Sequence, residues 1–430
     1  MNIPKFLLTI IDRLHASGHQ AYIVGGAVRD MILNLPITDW DVATSAPPEK
    51  ISAIFQDLKK FSLKHGTVTL VDGNRHYEVT TFRSTEGFGR TVEEDLRHRD
   101  FTINAMAYDA GKKSILDPCG GKADILRKRL RAVGEPEDLF KEDPLRLLRA
   151  VRLANELNFK VDEGTLKTIT LMSDMLESVS QERIRDEILK ILMSRKPSWG
   201  FNLMFRTNLL KQILPELLEG YLKRQNAHHR YTIYKHIMET INQVQAKPVL
   251  RLTALLHDIA KPRVREKVRG QWRFLGHEKA SADMAREIME RLRFSKEIIG
   301  RVTNLITHHM VWYDSDWSDG AVRRLIRRVS PENMDDLISF RRADILARGL
   351  RDEKLDFISE LEKRAGELTK YQITVKARDL AIDGNRVMEI LGLSPGPEVG
   401  KILNKLLEKV TDHPELNTEE GLMDLLKSSL

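Results

Sequence analysis

The sequence predicts an α+β protein in which a small mixed-sheet head is followed by an all-α neck, body and tail. Short runs rich in β-branched residues, such as DWDVAT and HYEVTTF, occupy the first part of the chain and predict strands. From about residue 138 onwards, apolar residues recur with almost purely helical spacing. A chain of 430 residues can form several domains, and Pro- and Gly-containing breaks favour a division into 1–138, 139–200, 201–350 and 351–430.

Composition narrows the class of protein. The 69 Lys and Arg residues outnumber the 62 Asp and Glu residues, and the resulting formal charge of +7 fits an anionic partner such as nucleic acid. Cys119 is the single cysteine, so an internal disulfide is excluded and a cytoplasmic location is expected. The opening segment MNIPKFLLTIIDRLHASG predicts an amphipathic helix rather than a signal peptide. No uncharged apolar run is long enough to predict a membrane span.

The head begins with a strand, a glycine turn and a helix. AYIV predicts the strand, and Gly25 and Gly26 lead into a helix that carries Arg29. Two glycines allow the backbone to approach a phosphate closely, and the following helix offers free N–H groups at its start. A purely structural turn is the alternative interpretation, because glycine pairs are common in turns.

Three acidic residues follow on predicted strands. Asp39 and Asp41 are two positions apart, so in an extended segment they point to the same side. Glu78 lies within another strand between apolar neighbours, where an unpaired charge is costly. Adjacent carboxylates repel one another unless a cation lies between them, and their hard oxygens suit Mg²⁺. Three such acids can hold two metal ions for in-line attack on phosphorus. The alternative interpretation is that these three acids are solvated surface residues that bind no metal ion.

Taken in order, these motifs resemble those of a known family. The matching segments are VGGAVRD, DWDVAT, YEVTTFR, EEDLRHRDFTINAMAYD, LDPCGGKADI, FKEDPLRLLRAVRLA and SQERIRDEILKIL. They are similar to the class II tRNA nucleotidyltransferases and bacterial poly(A) polymerases of the DNA polymerase beta superfamily, over about residues 20–195. The resemblance implies a nucleotidyltransferase head in which the tRNA 3′-hydroxyl attacks the α-phosphate of a nucleoside triphosphate and releases pyrophosphate.

The same resemblance implies roles for individual residues. Asp39 and Asp41 would bind two Mg²⁺ ions, with Glu78 as a third catalytic acid. The nucleotide-binding residues implied in the head are Gly26 and Arg29 at the triphosphate and Arg99, Asp100 and Asn104 in a ribose-selecting motif. The chain departs from the family pattern at His98, where an arginine is usual, and this puts only that first arginine's role in doubt.

A second motif predicts how the base is read without a template. The segment Glu142-Asp143-Pro144-Leu145-Arg146 matches the family's EDxxR motif, and we expect Asp143 and Arg146 to lie on neighbouring faces of one helix. An Asp accepts from the N4 amine of cytosine, and an Arg donates to the acceptors on its pairing edge. Arg149 and Arg152 resemble further triphosphate or base contacts. A helix start followed by a solvated basic face is the alternative.

The length of one loop predicts how many nucleotides the enzyme adds. Only 15 residues, 84–98, separate Arg83 from Arg99, and they lack the longer charged segment of relatives that add the terminal A. Within the family this deletion marks CC-adding enzymes, which use CTP and leave the final A to a separate A-adding enzyme. The alternatives are a full CCA-adding enzyme that uses CTP and ATP with a compact loop, and, less favoured, a poly(A) polymerase.

The body contains a second set of candidate metal ligands. His257 and Asp258 follow an apolar helix and resemble the motif of the HD phosphohydrolase superfamily. The residues that match its H…HD…D pattern are His236, His257, Asp258 and Asp344, and the candidates for a second metal ion are His277 and His309. Imidazole and carboxylate together suit a divalent transition metal. The resemblance implies phosphatase, phosphodiesterase or 2′-nucleotidase activity in the repair of tRNA 3′ ends.

Other interpretations of the body and tail remain open. The HD residues are alternatively a satisfied structural cluster, or the whole chain is an HD phosphohydrolase with an RNA-binding head. The tail contains the turn PGPEVG, and the family places the tRNA elbow near it, so tRNA contacts are expected at residues 351–430. Basic clusters at 122–131 and 323–328 are further candidates for contact with the RNA backbone, although most charge runs are only solvated.

Overall fold

A computed structural model describes residues 3–62, 66–84, 87–226, 229–349, 355–369 and 376–428. The chain divides into two compact units, Met1–Ile213 and Leu214–Leu430. Within the described residues no helix combines the length and the apolar character needed to cross a membrane.

The first unit combines a sheet with surrounding helices. Its elements in chain order are α1 (Lys5–Ala16), β1 (Ala21–Val24), α2 (Gly26–Leu33), β2 (Trp40–Thr44), α3 (Pro48–Ile54), β3 (Lys60–Ser62), β4 (Thr67–Asp72), β5 (Arg75–Thr81), β6 (Arg83–Ser84), β7 (Gly87–Phe88), α4 (Val92–Arg97), β8 (Ala107–Asp109), β9 (Ser114–Leu116), α5 (Gly121–Leu126), β10 (Arg129–Leu130), α6 (Pro136–Glu142), α7 (Arg146–Leu157), β11 (Lys160–Val161), α8 (Glu163–Leu171), α9 (Gln181–Met193), α10 (Pro197–Arg206) and α11 (Leu209–Ile213).

The second unit is mostly helical. Its elements are α12 (Pro215–Leu218), α13 (Ile233–Gln243), α14 (Pro248–Leu256), β12 (Glu266–Val268), β13 (Gln271–Arg273), α15 (His277–Arg291), α16 (Lys296–His308), α17 (Asp319–Val329), α18 (Pro331–Leu346), α19 (Asp356–Thr369), α20 (Gly384–Leu391), α21 (Pro397–Asp412) and α22 (Glu419–Ser428). The predicted α+β class, with a mixed-sheet head and a helical remainder, is therefore confirmed.

The main sheet has seven strands in the order β3-β4-β5-β2-β1-β8-β9. Strands β2 and β5 pair in parallel and every other neighbouring pair is antiparallel. In the parallel pair Asp41 lies opposite Glu78, and Trp40 lies opposite Tyr77. Because successive side chains alternate between the faces of a strand, the two aromatic residues are buried on one face and the two acids lie on the other.

The glycine turn forms as expected between β1 and α2. Gly25 precedes α2 with φ of 71°, in the left-handed region that favours glycine. The opening helix α1 is amphipathic, as predicted, and buries Leu7, Ile10, Ile11 and Leu14. These elements place the start of α2 at the carboxyl end of β1.

The expected helical placement of Asp143 is wrong. Asp143 ends α6 in an extended conformation, with φ of −145° and ψ of 99°, and α7 begins only at Arg146. Pro144 explains the break, because a proline disfavours helical geometry in the residue before it. Helix α7 itself forms, and its apolar face is buried as the periodicity predicts.

Two details depart from the expected helical remainder. Residues 266–273 form the antiparallel hairpin β12–β13, and β11 pairs in parallel with β10.

The arginines of the basic cluster at 323–328 largely bind acidic or carbonyl groups of α21. These contacts are Arg323 with the Asp412 carbonyl oxygen, Arg324 with the Asp412 carboxylate and Arg327 with Glu408. This charge run therefore stabilises the packing of α17 against α21.

Candidate active sites

In the first unit a cavity of about 360 Å³ contains most of the predicted nucleotide-site residues. The lining residues are Gly25, Gly26, Asp41, Glu78, Arg83, Arg99, Asp100, Asn104, Asp143, Arg146 and Arg149. A larger cavity of about 930 Å³ borders Asp30, Thr38 and Trp40, and none of the predicted site residues lines it. The smaller cavity is therefore the candidate nucleotide-binding site.

The three predicted acids act on one another electrostatically. Burial raises the pKa of Asp41 to about 6, Arg99 opposes that rise, and the charges of Glu78 and Asp39 add to it. Asp39 is exposed immediately before β2, two positions from Asp41. Carboxylates that crowd together in this way are stabilised by a divalent cation, so the donor set fits Mg²⁺.

Arg99 lies against the glycine turn. Asp95, which is fully buried, holds the Arg99 guanidinium through a contact of 2.8 Å. A Cβ atom built on Gly25 would lie 2.9 Å from Nη1 of Arg99 and 3.5 Å from a carboxylate oxygen of Asp41. The position therefore requires glycine both for its positive φ and for this close approach.

Four predicted residues form one hydrogen-bonded chain, and three of them line the cavity. Arg29 donates to Asn104 at 2.8 Å, Asn104 donates to Asp100 at 3.1 Å, and Arg149 donates to Asp100 at 2.6 Å. Burial alone would raise the pKa of Asp100, but Arg149 and the hydrogen bonds hold it below its ordinary value. Asp100 thus stays charged and fixes the side chains on both sides of it.

The two residues predicted to read the base, Asp143 and Arg146, line the same cavity, although they do not share a helix. Asp143 Oδ2 lies 2.8 Å from Nη2 of Arg183, and Asp143 Oδ1 accepts from the Leu145 backbone N–H at 3.2 Å. Arg146 contacts Glu142 at 2.5 Å. Each residue is therefore held by a partner and does not rotate freely.

Three predicted residues, Arg29, Asp39 and Arg152, are not among the described residues that line the cavity, and three contributors were missed. The guanidinium of Arg152 donates to Glu187 at 2.7 Å and to Glu156 at 2.9 Å. The residues whose contribution sequence reasoning missed are Arg83 in the cavity wall, Asp95 behind Arg99 and Arg183 behind Asp143. Only Phe82 separates Arg83 from the end of β5, and Arg83 ends the matched segment YEVTTFR, so a signal for it was available.

In the second unit all six predicted HD residues come together in two groups of buried ligands. The groups are His236, His257 and Asp344, and Asp258, His277 and His309, with the ligand atoms of each group within 4.8 Å of one another. The ligands come from α13, the end of α14, the start of α15, the end of α16 and α18. The sequence predicted this constellation from widely separated positions.

The histidines of these groups share one orientation. In each ring Nδ1 lies close to a backbone carbonyl oxygen: 3.3 Å for His236, 3.0 Å for His257, 2.7 Å for His277 and 2.6 Å for His309. With Nδ1 as the donor in this contact, Nε2 keeps its lone pair for the centre of the cluster. This pattern is typical of metal-ligating histidines.

One oxygen of the buried acid Asp258 lacks a hydrogen-bond donor. Asp258 is 1 % exposed, and its Oδ1 has no hydrogen-bond partner among the described residues, as is also the case for Nε2 of His277, whereas its Oδ2 pairs with Lys261. Burial would raise the pKa of Asp258, yet His257 and Lys261 hold it well below its ordinary value. A charged carboxylate with one unsatisfied oxygen among imidazoles fits a divalent metal centre better than a structural cluster.

The HD cluster opens onto a cavity of about 200 Å³. Its lining combines the metal-ligand candidates Asp258, His277, His309 and Asp344 with the cations Lys261, Arg273 and Arg348 and with His229, Asn226, Trp272, Phe274, Leu275 and Met310. Nζ of Lys261 lies 2.6 Å from Asp258 Oδ2, and Arg341 binds the second oxygen of Asp344 at 2.7 Å. Acids and cations at one small cavity suit a metal-bound phosphate ester.

Three segments of the chain match known protein families. Residues 21–131 match the Poly A polymerase head domain, residues 158–220 match the probable RNA and SrmB-binding site of polymerase A, and residues 228–376 match the HD domain. The first match contains the three predicted catalytic acids, Asp39, Asp41 and Glu78, and the third contains both groups of metal-ligand candidates.

Several relatives match this chain over nearly its full length. The chain is 31% identical to a CCA-adding enzyme of Streptococcus thermophilus, over 98% of this chain and 96% of that one. It is 33% identical to an A-adding tRNA nucleotidyltransferase of Deinococcus radiodurans, over 90% and 91%. The crystal structure of a Bacillus stearothermophilus CCA-adding enzyme in complex with CTP superimposes with a TM-score of 0.75 at 28% identity, covering 100% of this chain and 98% of that chain. The chain is therefore a nucleotidyltransferase and belongs to the tRNA nucleotidyltransferase family of the CCA-adding and A-adding enzymes.

Proposed function

We propose that this nucleotidyltransferase is a CC-adding enzyme, which transfers two CMP residues from CTP to the 3′ end of tRNA and leaves the terminal A to a separate enzyme. The observation that carries the proposal is the short connection between Arg83 and Arg99. In the structure it consists of the two-residue strands β6 and β7 and the short helix α4, with residues 85 and 86 outside the described ranges. An A-adding relative of the same family agrees with a division of the reaction between enzymes.

The residues of the cavity have complementary tasks in this proposal. Asp39 and Asp41, with Glu78 beside them, would hold two Mg²⁺ ions, which lower the charge repulsion between the tRNA 3′ end and the triphosphate. The glycine turn and Arg99 lie where phosphate oxygens can approach backbone N–H groups and a guanidinium. Asp143 accepts from the cytosine amine and Arg146 donates to its acceptors, which leaves both groups mismatched with uracil.

Sequencing of tRNA 3′ ends tests this function. Purified protein is incubated with tRNA that lacks its terminal CCA, all four nucleoside triphosphates and Mg²⁺. We expect products that end in CC, and Asp41→Asn should reduce CMP incorporation by at least about a thousandfold because a metal ligand is lost. Efficient terminal adenylation would identify a full CCA-adding enzyme, and long A tails from ATP alone would identify a poly(A) polymerase.

A second activity is supported by the HD cluster. We infer that the body hydrolyses phosphate esters with a bound divalent metal, held by His236, His257, Asp344, Asp258, His277 and His309. The unsatisfied Oδ1 of Asp258 and the shared orientation of the four histidines support it. A metal at such a cluster acidifies bound water and polarises the phosphate.

A single substitution separates the two activities. His257→Ala should abolish metal-dependent hydrolysis of 4-nitrophenyl phosphate while CMP incorporation into tRNA is retained. Metal content of the wild-type and variant proteins, measured by inductively coupled plasma mass spectrometry, gives a readout that does not depend on turnover. Loss of both activities together would contradict separate sites.

A further inference from the structure

The hairpin β12–β13 is anchored at both ends by residues of the HD cluster. Asp258 precedes it and His277 follows it, with the described chain between them unbroken. Its turn consists of Arg269 and Gly270, both with positive φ, of 49° and 81°. Such a two-residue turn matches the twist of the paired strands, so the hairpin is a defined element beside the cavity.

Four consecutive residues at the end of the hairpin line the HD cavity: Trp272, Arg273, Phe274 and Leu275. Leu275 is 73% exposed and Met310 is 48% exposed, so these two apolar side chains lie at the opening of the cavity, whereas the metal-ligand candidates are buried within it. The cavity therefore has an apolar rim and a charged interior.

The segment that forms the hairpin is strongly basic. Residues 261–273 contain six cations, Lys261, Arg263, Arg265, Lys267, Arg269 and Arg273, and one acid, Glu266. Lys267, Arg269 and Arg273 are exposed and form no ion pair with any described residue. Arg269, in the turn, and Lys267 are not among the described residues that line the cavity, so the positive charge continues beyond the cavity itself.

Trp272 gives the hairpin a stacking surface. The guanidinium of Arg265 lies 3.4 Å from the centre of the indole ring, and Nζ of Lys267 lies 5.8 Å from it. The indole is half-buried and borders the cavity. Aromatic rings beside cations are the combination by which proteins bind single-stranded nucleic acid, because bases stack on the ring and phosphates pair with the cations.

We propose that this hairpin binds the 3′ end of a single RNA strand and places its terminal phosphate in the HD cavity. The inference rests on the second activity proposed above. A cavity of about 200 Å³ is small for a complete ligand site, so it suits a terminal phosphate while the rest of the strand lies along the hairpin. In the reaction a water oxygen forms a bond to phosphorus, the phosphorus–O3′ bond breaks, and O3′ takes a proton, which yields inorganic phosphate and a 3′-hydroxyl.

Binding without turnover provides the first test. The probe is a short 5′-labelled oligoribonucleotide with a 3′-phosphate, and its affinity for the full-length protein is measured by fluorescence anisotropy in the presence of a chelator. The double variant Lys267→Gln/Arg269→Gln should bind about tenfold more weakly and should reduce the slope of log K against log salt by about 1.4, since each phosphate contact contributes about 0.7. Trp272→Ala should also weaken binding about tenfold.

Matched variants control for charge and for loss of an aromatic ring. Arg286→Gln/Lys296→Gln removes the same charge from exposed positions of α15 and α16, and Trp312→Ala removes another exposed indole of the second unit. Both should bind the probe as the wild type does. CMP incorporation by every variant verifies that the chain is folded.

Hydrolysis distinguishes the possible outcomes. We expect the double hairpin variant to lose at least about tenfold more kcat/KM on the 3′-phosphorylated oligoribonucleotide than on 4-nitrophenyl phosphate. Probe binding equal to that of the wild type would overturn the proposal, as would an equal loss on the RNA and on a free nucleoside 3′-monophosphate. Hairpin-dependent RNA binding with no phosphatase activity in the wild type would overturn the hydrolytic step and the second proposed activity, and would retain the hairpin as an RNA-binding element.

Discussion

The side chain of Asp143 is held in a fixed orientation before a nucleotide binds. Its Oδ2 faces Arg183 and its Oδ1 accepts from a backbone N–H, so its orientation is set before any nucleotide arrives. A fixed acceptor loses less conformational entropy on binding than a mobile one. Arg183, on α9, is thus a positioning residue for the proposed base-reading pair.

Replacing Arg183 tests this arrangement. Arg183→Ala should lower the ratio of kcat/KM for CTP to that for UTP about tenfold, because one well-placed base contact contributes about 1–3 kcal/mol of discrimination. Steady-state incorporation of each nucleotide measures the ratio. Arg185→Ala on the same helix, which loses a pair with the neighbouring Asp186, is the control. An unaltered preference for CTP in the Arg183 variant would show that Asp143 needs no such support.

The ion pair between Asp100 and Arg149 predicts a dependence of stability on pH. The pKa of Asp100 is lower in the folded protein than its ordinary value, so the pair stabilises the fold above the unfolded pKa and this contribution is lost as pH falls through the folded pKa. Asp100→Asn should reduce the free energy of unfolding by about 1–3 kcal/mol at pH 7, a value discounted because the Arg149 side chain is 36% exposed. Thermal unfolding of both proteins at several pH values should show a difference that shrinks as pH falls below 3.8, the ordinary pKa of an Asp, whereas a constant difference would contradict this origin.

At the scale of elements, the connection after β5 is the feature that limits the reaction in our proposal. Replacing residues 84–91 with a longer segment rich in charged residues should add AMP incorporation after the two cytidines, at least about tenfold above the level of the parent protein. A Gly- and Ser-rich segment of equal length should not do so, because it lacks the charged side chains. Sequencing of product ends measures the effect. Terminal A addition by the unaltered protein would make the comparison meaningless and would refute the CC-adding proposal.

Local patterns predicted the elements well and their junctions less well. The strand–glycine–helix unit and the paired acids were expected from spacing, which depends on short-range geometry, and the six HD residues were expected from the ordered motif that resembles the HD superfamily. Asp143 was placed on a helix because its spacing from Arg146 suits one, yet Pro144 breaks that helix. Arg183 and Asp95 were missed, since their roles depend on tertiary contacts that no local pattern reveals.

For the whole molecule, two chemically distinct sites lie in two separate compact units. A metal ion that binds the HD cluster should therefore stabilise the second unit selectively. At a metal concentration of about 100 times the dissociation constant, the gain is about 2.7 kcal/mol. Hydrogen exchange followed by mass spectrometry should show added protection in peptides that contain His257, His277 and Asp344 when Mn²⁺ is added to metal-free protein. Asp258→Asn should reduce this protection, and protection confined to the first unit would contradict the assignment.

The tight turn between β4 and β5 has a consequence for how the catalytic head can change over time. Asp72 pairs with Arg75, so Gly73 and Asn74 alone connect these strands, and β5 then pairs on its other edge with β2, where Glu78 lies opposite Asp41. A single-codon insertion in the turn that shifted β5 by one position against β2 would place Tyr77 instead of Glu78 at the acidic cavity and direct the carboxylate into the core. Point substitutions in the β4–β5 turn leave the position of Glu78 unchanged, whereas insertions and deletions there move it. The length of this turn should therefore be among the slowest-evolving features of the head.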